Sequence, residues 1–249
     1  MDEALTRDDY LGGRLSLWQP ARGYRAGIDP VLLAAACPAK AGESILELGC
    51  GVGTAALCLS VRVPDLRITG VERQADMAAL ACRNASETGA HFQVVTADIA
   101  TLPDAVKQQS YDHVIANPPF FLRSESHASP HPAREAAMGE DTALATWMDV
   151  AARRLKPKGW LTLIHRTERL ADLLCDLGTL GSVQIQPLQP RPGREANLIL
   201  LRARKNGRAP LRLHPPVTLH TGEKHVTDGE DYSPAIRAVL RSSAPFPGF

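Results

Sequence analysis

A chain of 249 residues with 44% apolar and 22% charged content is an ordinary soluble globular composition, sufficient for one or two packed domains. No apolar run approaches the length needed to span a bilayer, and the acidic start Met1-Asp2-Glu3-Ala4-Leu5 lacks the basic-then-apolar pattern of a secretion signal. Five scattered cysteines without a C-x-x-C pair argue against a disulfide framework or a cysteine zinc site and for a reducing cytosol, and the eight histidines show no metal-ligand spacing. The net charge of +1 hides an asymmetry: residues 153–212 hold thirteen Lys/Arg against four acids, so the remainder is strongly acidic. This fits a protein that meets a polyanion on one side, or a set of solvated faces whose charges diverge in space.

Residues 1–27 are rich in Gly and Arg and read as a loop or short hairpin. Asp29 is expected to N-cap a helix with Pro30 in its first position, closed by Pro38 and Gly42. Ser44 to Leu48 is a strand that runs into Gly49-Cys50-Gly51-Val52-Gly53, and a helix follows over Thr54–Val63. Leu66 to Val71 is a second strand ending at Glu72. Arg73 to Thr88 has helical spacing, with Met77, Leu80 and Ala81 on one face, and Gly89 stops it. Phe92 to Thr96 is a third strand with Asp98 just past its end, and Ile99 to Gln108 has helical character. A fourth strand, Val114 to Ala116, ends in Asn117-Pro118-Pro119-Phe120. After it come a helix over Thr142–Leu155, a strand Trp160–His165, a helix Thr167–Leu177, and strands Val183–Leu188 and Asn197–Ala203.

This alternation predicts a Rossmann-like α/β fold: a seven-stranded, mostly parallel sheet with helices on both faces. The Gln189–Glu195 connection is too short for a crossover helix, so the last strand is expected to be antiparallel. Leu122 to Glu140 has no periodicity and reads as a lid beside the fourth strand's tip. The tail after Lys205 is Pro-rich and ends in a short helix, Pro234–Leu240. The division expected is residues 1–40 leading into the core, 41–205 as the main domain, and 206–249 as an extension packed on it.

The strand tips carry the chemistry. Glycines at 49, 51 and 53 allow a tight turn and close backbone approach where such sheets bind ligands. Glu72 can accept both hydroxyls of a ribose, and Asp98 or its neighbour can reach an adenine amine. The G-x-G-x-G spacing brings the third glycine one residue early for a dinucleotide fingerprint. Glu47 would repel a pyrophosphate but could hold a cationic amino-acid end, which favours S-adenosylmethionine over NAD. At the fourth strand, two prolines stop the ladder and leave an amide, two carbonyls and an aromatic ring. Asn117 and the Pro118 carbonyl can accept both hydrogens of a planar –NH2 group while Phe120 stacks on a flat base; a plain strand-terminating turn with Asn117 bonding its own backbone is the alternative.

E-L-G-C-G-V-G at 47–53, Glu72, Asp98 and N-P-P-F at 117–120 together resemble class I S-adenosylmethionine-dependent methyltransferases of the N-P-P-[FY] type. Within that group, G-Y-R-A-G-I-D-P-V-L-L-A at 23–34 and the late segment at 219–237 are most similar to the bacterial tRNA(Val) adenine-N6 methyltransferase family. The resemblance implies an RNA-methylating enzyme, with Asn117, Pro118 and Phe120 catalytic. Glu47, Gly49, Gly51, Gly53, Glu72, Asp98 and Asn117 would hold S-adenosylmethionine. Tyr24, Asp29, Pro119 and Phe121 would border the substrate, although a helix cap alone also accounts for Asp29. The partner implied is tRNA, modified at the adenine 3′ of the anticodon, with no metal and no membrane. A guanine amine in rRNA or a glutamine amide in a release factor would suit the same acceptor clamp, and a non-catalytic RNA-binding module is the reading from another class.

Overall fold

A computed structural model describes residues 4–23, 25–122, 139–140, 142–222 and 231–249, with backbone only at 121–122 and 139–140. The N-terminal segment forms a hairpin: β1 (Leu5–Tyr10) pairs antiparallel with β2 (Leu15–Pro20). Then come α1 (Asp29–Ala36), β3 (Ser44–Leu48), α2 (Thr54–Arg62), β4 (Arg67–Glu72), α3 (Ala75–Thr88) and β5 (Phe92–Thr96). Next are α4 (Asp104–Lys107), β6 (Tyr111–Ala116), the two-residue strands β7 (Phe121–Leu122) and β8 (Gly139–Glu140), α5 (Leu144–Arg154) and β9 (Leu155–Arg166). The chain closes with α6 (Leu170–Cys175), β10 (Leu180–Gln189), β11 (Leu198–Lys205), the short β12 (Arg212–Leu213) and β13 (Val217–Thr218), and α7 (Pro234–Ser242).

Four local expectations change. Asp29 does not cap α1: it is the first helical residue, Ile28 precedes the helix, and no side chain accepts a capping bond. The expected helix over 99–108 divides into a 3-10 turn, Ile99–Thr101, and α4, because Pro103 lacks an N–H to continue the first ladder. Likewise Thr167–Leu177 is a 3-10 turn, Thr167–Arg169, followed by the shorter α6. β9 begins early because Leu155 already pairs with Tyr111, ahead of a bend where Lys158 takes φ 68°. The expected lid falls almost wholly at residues 123–138, outside the described residues.

The seven long strands lie in the order β10-β11-β9-β6-β3-β4-β5, and β12 and β13 add to the β10 edge. β11 is antiparallel to both β9 and β10, while β3, β4, β5, β6 and β9 pair in parallel. From β3 the chain steps outward to β4 and β5; from β6 it steps the other way to β9. The order therefore reverses between β3 and β6, which opens a crevice at their C-terminal ends.

Side-chain alternation divides the core into two layers. Ile45, Ile115, Ile164 and Leu200 face α1 and α2, and Leu46, Val114, Leu163 and Leu201 face α4, α5 and α6. The hairpin and the tail complete the first layer through Leu15, Leu17, Ile236 and Val239. Buried Asn84 fastens the hairpin to the glycine turn: its Oδ1 accepts from Trp18 N–H at 2.8 Å, and its Nδ2 donates to the Trp18 and Val52 carbonyls at 3.1 and 3.0 Å.

The basic run at 153–212 does not form one face. Trp160 pairs with Arg204 and Arg166 with Leu198, so β9 carries cations at both of its ends while β11 carries its own to the end away from the crevice. Lys156, Lys158, Arg204 and Lys205 lie at the end away from the crevice. Arg166, Arg169 and the β10–β11 turn with Arg191 and Arg194 lie at the crevice end.

Candidate active site

A cleft of about 990 Å³, its mouth included, opens over the tips of β3, β4 and β6. Glu47, Gly49, Gly51, Glu72, Asp98, Asn117 and Pro119 all line it. The Gly-rich turn is its floor. Gly51 has φ 53°, and an added Cβ would meet nothing within 4 Å, so this glycine serves the left-handed backbone alone. Gly49 is doubly constrained: φ is 64°, and a Cβ would lie 2.6 Å from the Trp147 ring. Gly53 does not line the cleft; it sits behind it, against the Phe92 ring, where the turn enters α2.

Two carboxylates hold this turn from below. Glu72, buried at the end of β4, accepts from Gly51 N–H and Gln74 N–H, each at 2.9 Å, one on each oxygen. Glu47 accepts from Ala56 N–H in the first turn of α2 at 2.9 Å. Burial pushes the Glu47 carboxyl up to about 8, opposed by the Ala56 N–H and reinforced by Glu72. Asp98 accepts from Ala100 N–H at 2.8 Å with one oxygen.

Asn117 follows the last residue of β6, beside the glycine turn because β6 pairs with β3 up to Leu48–Ala116. It reaches the cleft wall, and its Oδ1 is sequestered from solvent with no hydrogen-bond partner among the described residues. The alternative of a turn in which Asn117 bonds its own backbone is not what forms. A buried amide oxygen without a partner is costly and marks a site that lacks one of its components. The amide's two orientations are isosteric, so a half-turn exchanges oxygen and nitrogen at the cleft wall. Trp147 Nε1 is a second such orphan in a cleft-lining residue.

Pro119 lines the cleft, whereas Pro118 is buried behind it. Phe120 is half-buried and set apart from the cleft. The His165 ring meets it edge-on at 5.4 Å and 70°, and the Arg166 guanidinium lies 5.6 Å from its centroid. Asp29 does not line the cleft either, although its neighbours Ala26 and Pro30 do. Burial raises its carboxyl pKa, against the pull of Arg166. Tyr24 and the Phe121 side chain lie outside the described residues. Sequence reasoning missed Trp147 because it occupies the apolar face of the amphipathic α5 like any core aromatic. It missed His165 because a lone histidine at a strand end carries no pattern.

An acid at the tip of each of β3 and β4, a bare glycine turn between them and an orphaned amide on the next strand fit S-adenosylmethionine. Glu47 suits the cationic amino-acid end, and Glu72 and Asp98 suit the nucleoside. The fold and this arrangement define a class I S-adenosylmethionine-dependent methyltransferase. A family model described as the methyltransferase small domain matches residues 28–174, and the chain belongs to that family. It is 32% identical over 184 residues to the tRNA1(Val) (adenine(37)-N6)-methyltransferase of Aeromonas hydrophila, covering 72% of this chain and 75% of that protein. The protein of the same name from Porphyromonas gingivalis strain W83 is 33% identical over 195 residues, with 73% and 75% covered. Among solved structures, a predicted O-methyltransferase from Agrobacterium tumefaciens aligns with a TM-score of 0.70 at 25% identity, over 88% of this chain and 98% of that one.

Among the described residues, no helix is long and apolar enough to cross a membrane, and no three His, Cys, Asp or Glu side chains form a metal-binding group.

Proposed function

We propose that this enzyme methylates the exocyclic N6 of adenine in tRNA, next to the anticodon, with tRNA1(Val) as its first candidate substrate and the cytoplasm as its place of work. The observation that carries the reading is Asn117: an amide on the wall of the cofactor cleft whose oxygen has no partner among the described residues, opening an N-P-P-F turn. The relatives named for adenine-N6 methylation of tRNA point to the same substrate.

S-adenosylmethionine supplies a methyl group on a positively charged sulfur. The rest falls to the protein. An adenine amine is a poor nucleophile because its lone pair is delocalised into the ring. Asn117 Oδ1 and the Pro118 carbonyl accept its two hydrogens, which turns the lone pair out of the ring plane toward the cleft and stabilises the positive charge that develops on nitrogen. Phe120 offers its ring to the extruded base. Arg194, exposed in the β10–β11 turn at the crevice end of the sheet, meets the RNA backbone.

Glu47 makes cofactor binding pH-dependent. With its carboxyl near 8, it is mostly protonated at neutral pH and must ionise to hold the ammonium of the methionine end. Affinity for S-adenosylmethionine is therefore expected to rise about tenfold for each unit below that value as pH increases from 6 toward 7.5. Calorimetry across that range should show the slope in the native protein and its disappearance in Glu47→Gln. A flat profile in the native protein would take Glu47 out of the ammonium site.

The substrate is tested by incubating the purified protein with labelled S-adenosylmethionine and total RNA, then digesting to nucleosides for mass spectrometry. The expected product is N6-methyladenosine in tRNA(Val). Label in guanine from rRNA, or in a release-factor peptide and not in RNA, would move the same clamp to another planar amine. Cofactor binding by thermal shift with no label in any acceptor would leave a non-catalytic RNA-binding module.

A further inference from the structure

We infer that His165 is a positioning residue of the reaction: it fixes the Phe120 ring, and through it the place of the target amine against Asn117. The inference rests on the reading of Phe120 as the surface that receives the base. His165 is completely buried in β9, two residues beyond the Leu163–Ala116 pair that precedes Asn117 on the neighbouring strand. An imidazole at such a place must be hydrogen-bonded to be tolerated, and an aliphatic side chain would fill the space at less cost. Its Nδ1 accepts the Arg166 backbone N–H at 2.9 Å. In the neutral ring the single proton is therefore on Nε2. That nitrogen is sequestered from solvent and has no hydrogen-bond partner among the described residues. Burial, assisted by the Arg169 cation, pushes the ring down to about 4, so it is held as one neutral tautomer through the physiological range. The ring's edge meets Phe120 in the T-shaped arrangement that aromatic pairs favour. One buried side chain, anchored by the Arg166 N–H, thus meets the ring of Phe120 within the turn that opens with Asn117.

The test is a double-mutant cycle on the full chain. His165→Leu is expected to lower kcat about tenfold or more, since small misplacements of a reacting group are costly, with S-adenosylmethionine affinity within about twofold. His165→Phe keeps a ring edge for Phe120 and is expected to recover most of the loss. Adding His165→Leu to Phe120→Ala should cost nothing further. Nitrogen-15 NMR of labelled histidine should report the Nε2–H tautomer from pH 5.5 to 8. Full additivity with Phe120→Ala, no recovery by Phe at position 165, or loss of cofactor affinity in step with kcat would overturn the positioning role. Native turnover in Phe120→Ala alone would instead remove the stacking reading, and this inference with it.

Discussion

Asn117→Ala is expected to slow methyl transfer about 10³-fold while leaving S-adenosylmethionine affinity within about threefold. Removing one preorganised hydrogen-bonding group from a developing charge costs about 10²–10³ in rate, and here the same group also aims the lone pair. Asn117 can be spared by the cofactor because the glycine turn and Glu72 hold each other without it: Gly51 N–H is satisfied by Glu72, and the Asn117 oxygen has no partner among the described residues. For the same reason the substitution should not destabilise the fold; it deletes an orphaned polar atom. Asn117→Asp keeps acceptors at both positions and should retain a measurable rate. Single-turnover kinetics with labelled cofactor and calorimetry on the same preparations separate the two quantities. An unchanged rate would remove Asn117 from the chemistry, and a parallel loss of cofactor affinity would make it a cofactor ligand, as the resemblance allows.

Much of this site was legible in the sequence, because the fold places strand tips side by side and the informative residues are strand tips. Glu47, the glycine turn, Glu72, Asp98 and Asn117 each stand at or just past the end of an apolar run, and parallel pairing brings them to one cleft. The antiparallel last strand followed from a connection too short for a helix. What the sequence hid is whatever depends on packing across the chain. Gly49 and Gly53 look alike in the motif, yet one floors the cleft against Trp147 and the other sits behind it on Phe92. The cations of residues 153–212 look like one patch until β9 carries them to both of its ends. Asp29 looks like a helix cap, but the helix begins on it, and its carboxyl answers to Arg166 from a strand far along the chain. Nor does any local pattern reveal that a histidine closing β9 lies against the N-P-P-F turn.

The same dependence on packing sharpens the expectation for Glu72. From sequence it is a ribose ligand; in the folded chain both of its oxygens already accept a backbone N–H, from Gly51 and from Gln74. Each carboxylate oxygen has a second lone-pair site for a ribose hydroxyl, so Glu72 joins the cofactor to the turn that cradles it. Glu72→Ala should weaken S-adenosylmethionine binding about 10²-fold or more, because hydrogen bonds to a charged group are worth about 1.5–3 kcal/mol each and the Gly51 N–H is left without its acceptor. Glu72→Gln should fare little better: its –NH2 must face one of two N–H donors, and no rotation of the amide satisfies both. A residue acting only as a ribose acceptor would be largely rescued by Gln, so the Gln variant separates that role from shaping the turn. A second comparison divides the loss itself. If Glu72 acts through the sugar, the penalty of Glu72→Ala should shrink for 2′-deoxy S-adenosylhomocysteine relative to S-adenosylhomocysteine. If it acts only by shaping the turn, calorimetry should give equal penalties for both. Native affinity in Glu72→Gln would exclude the turn-shaping role, because a donor cannot replace either oxygen that faces Gly51 N–H and Gln74 N–H.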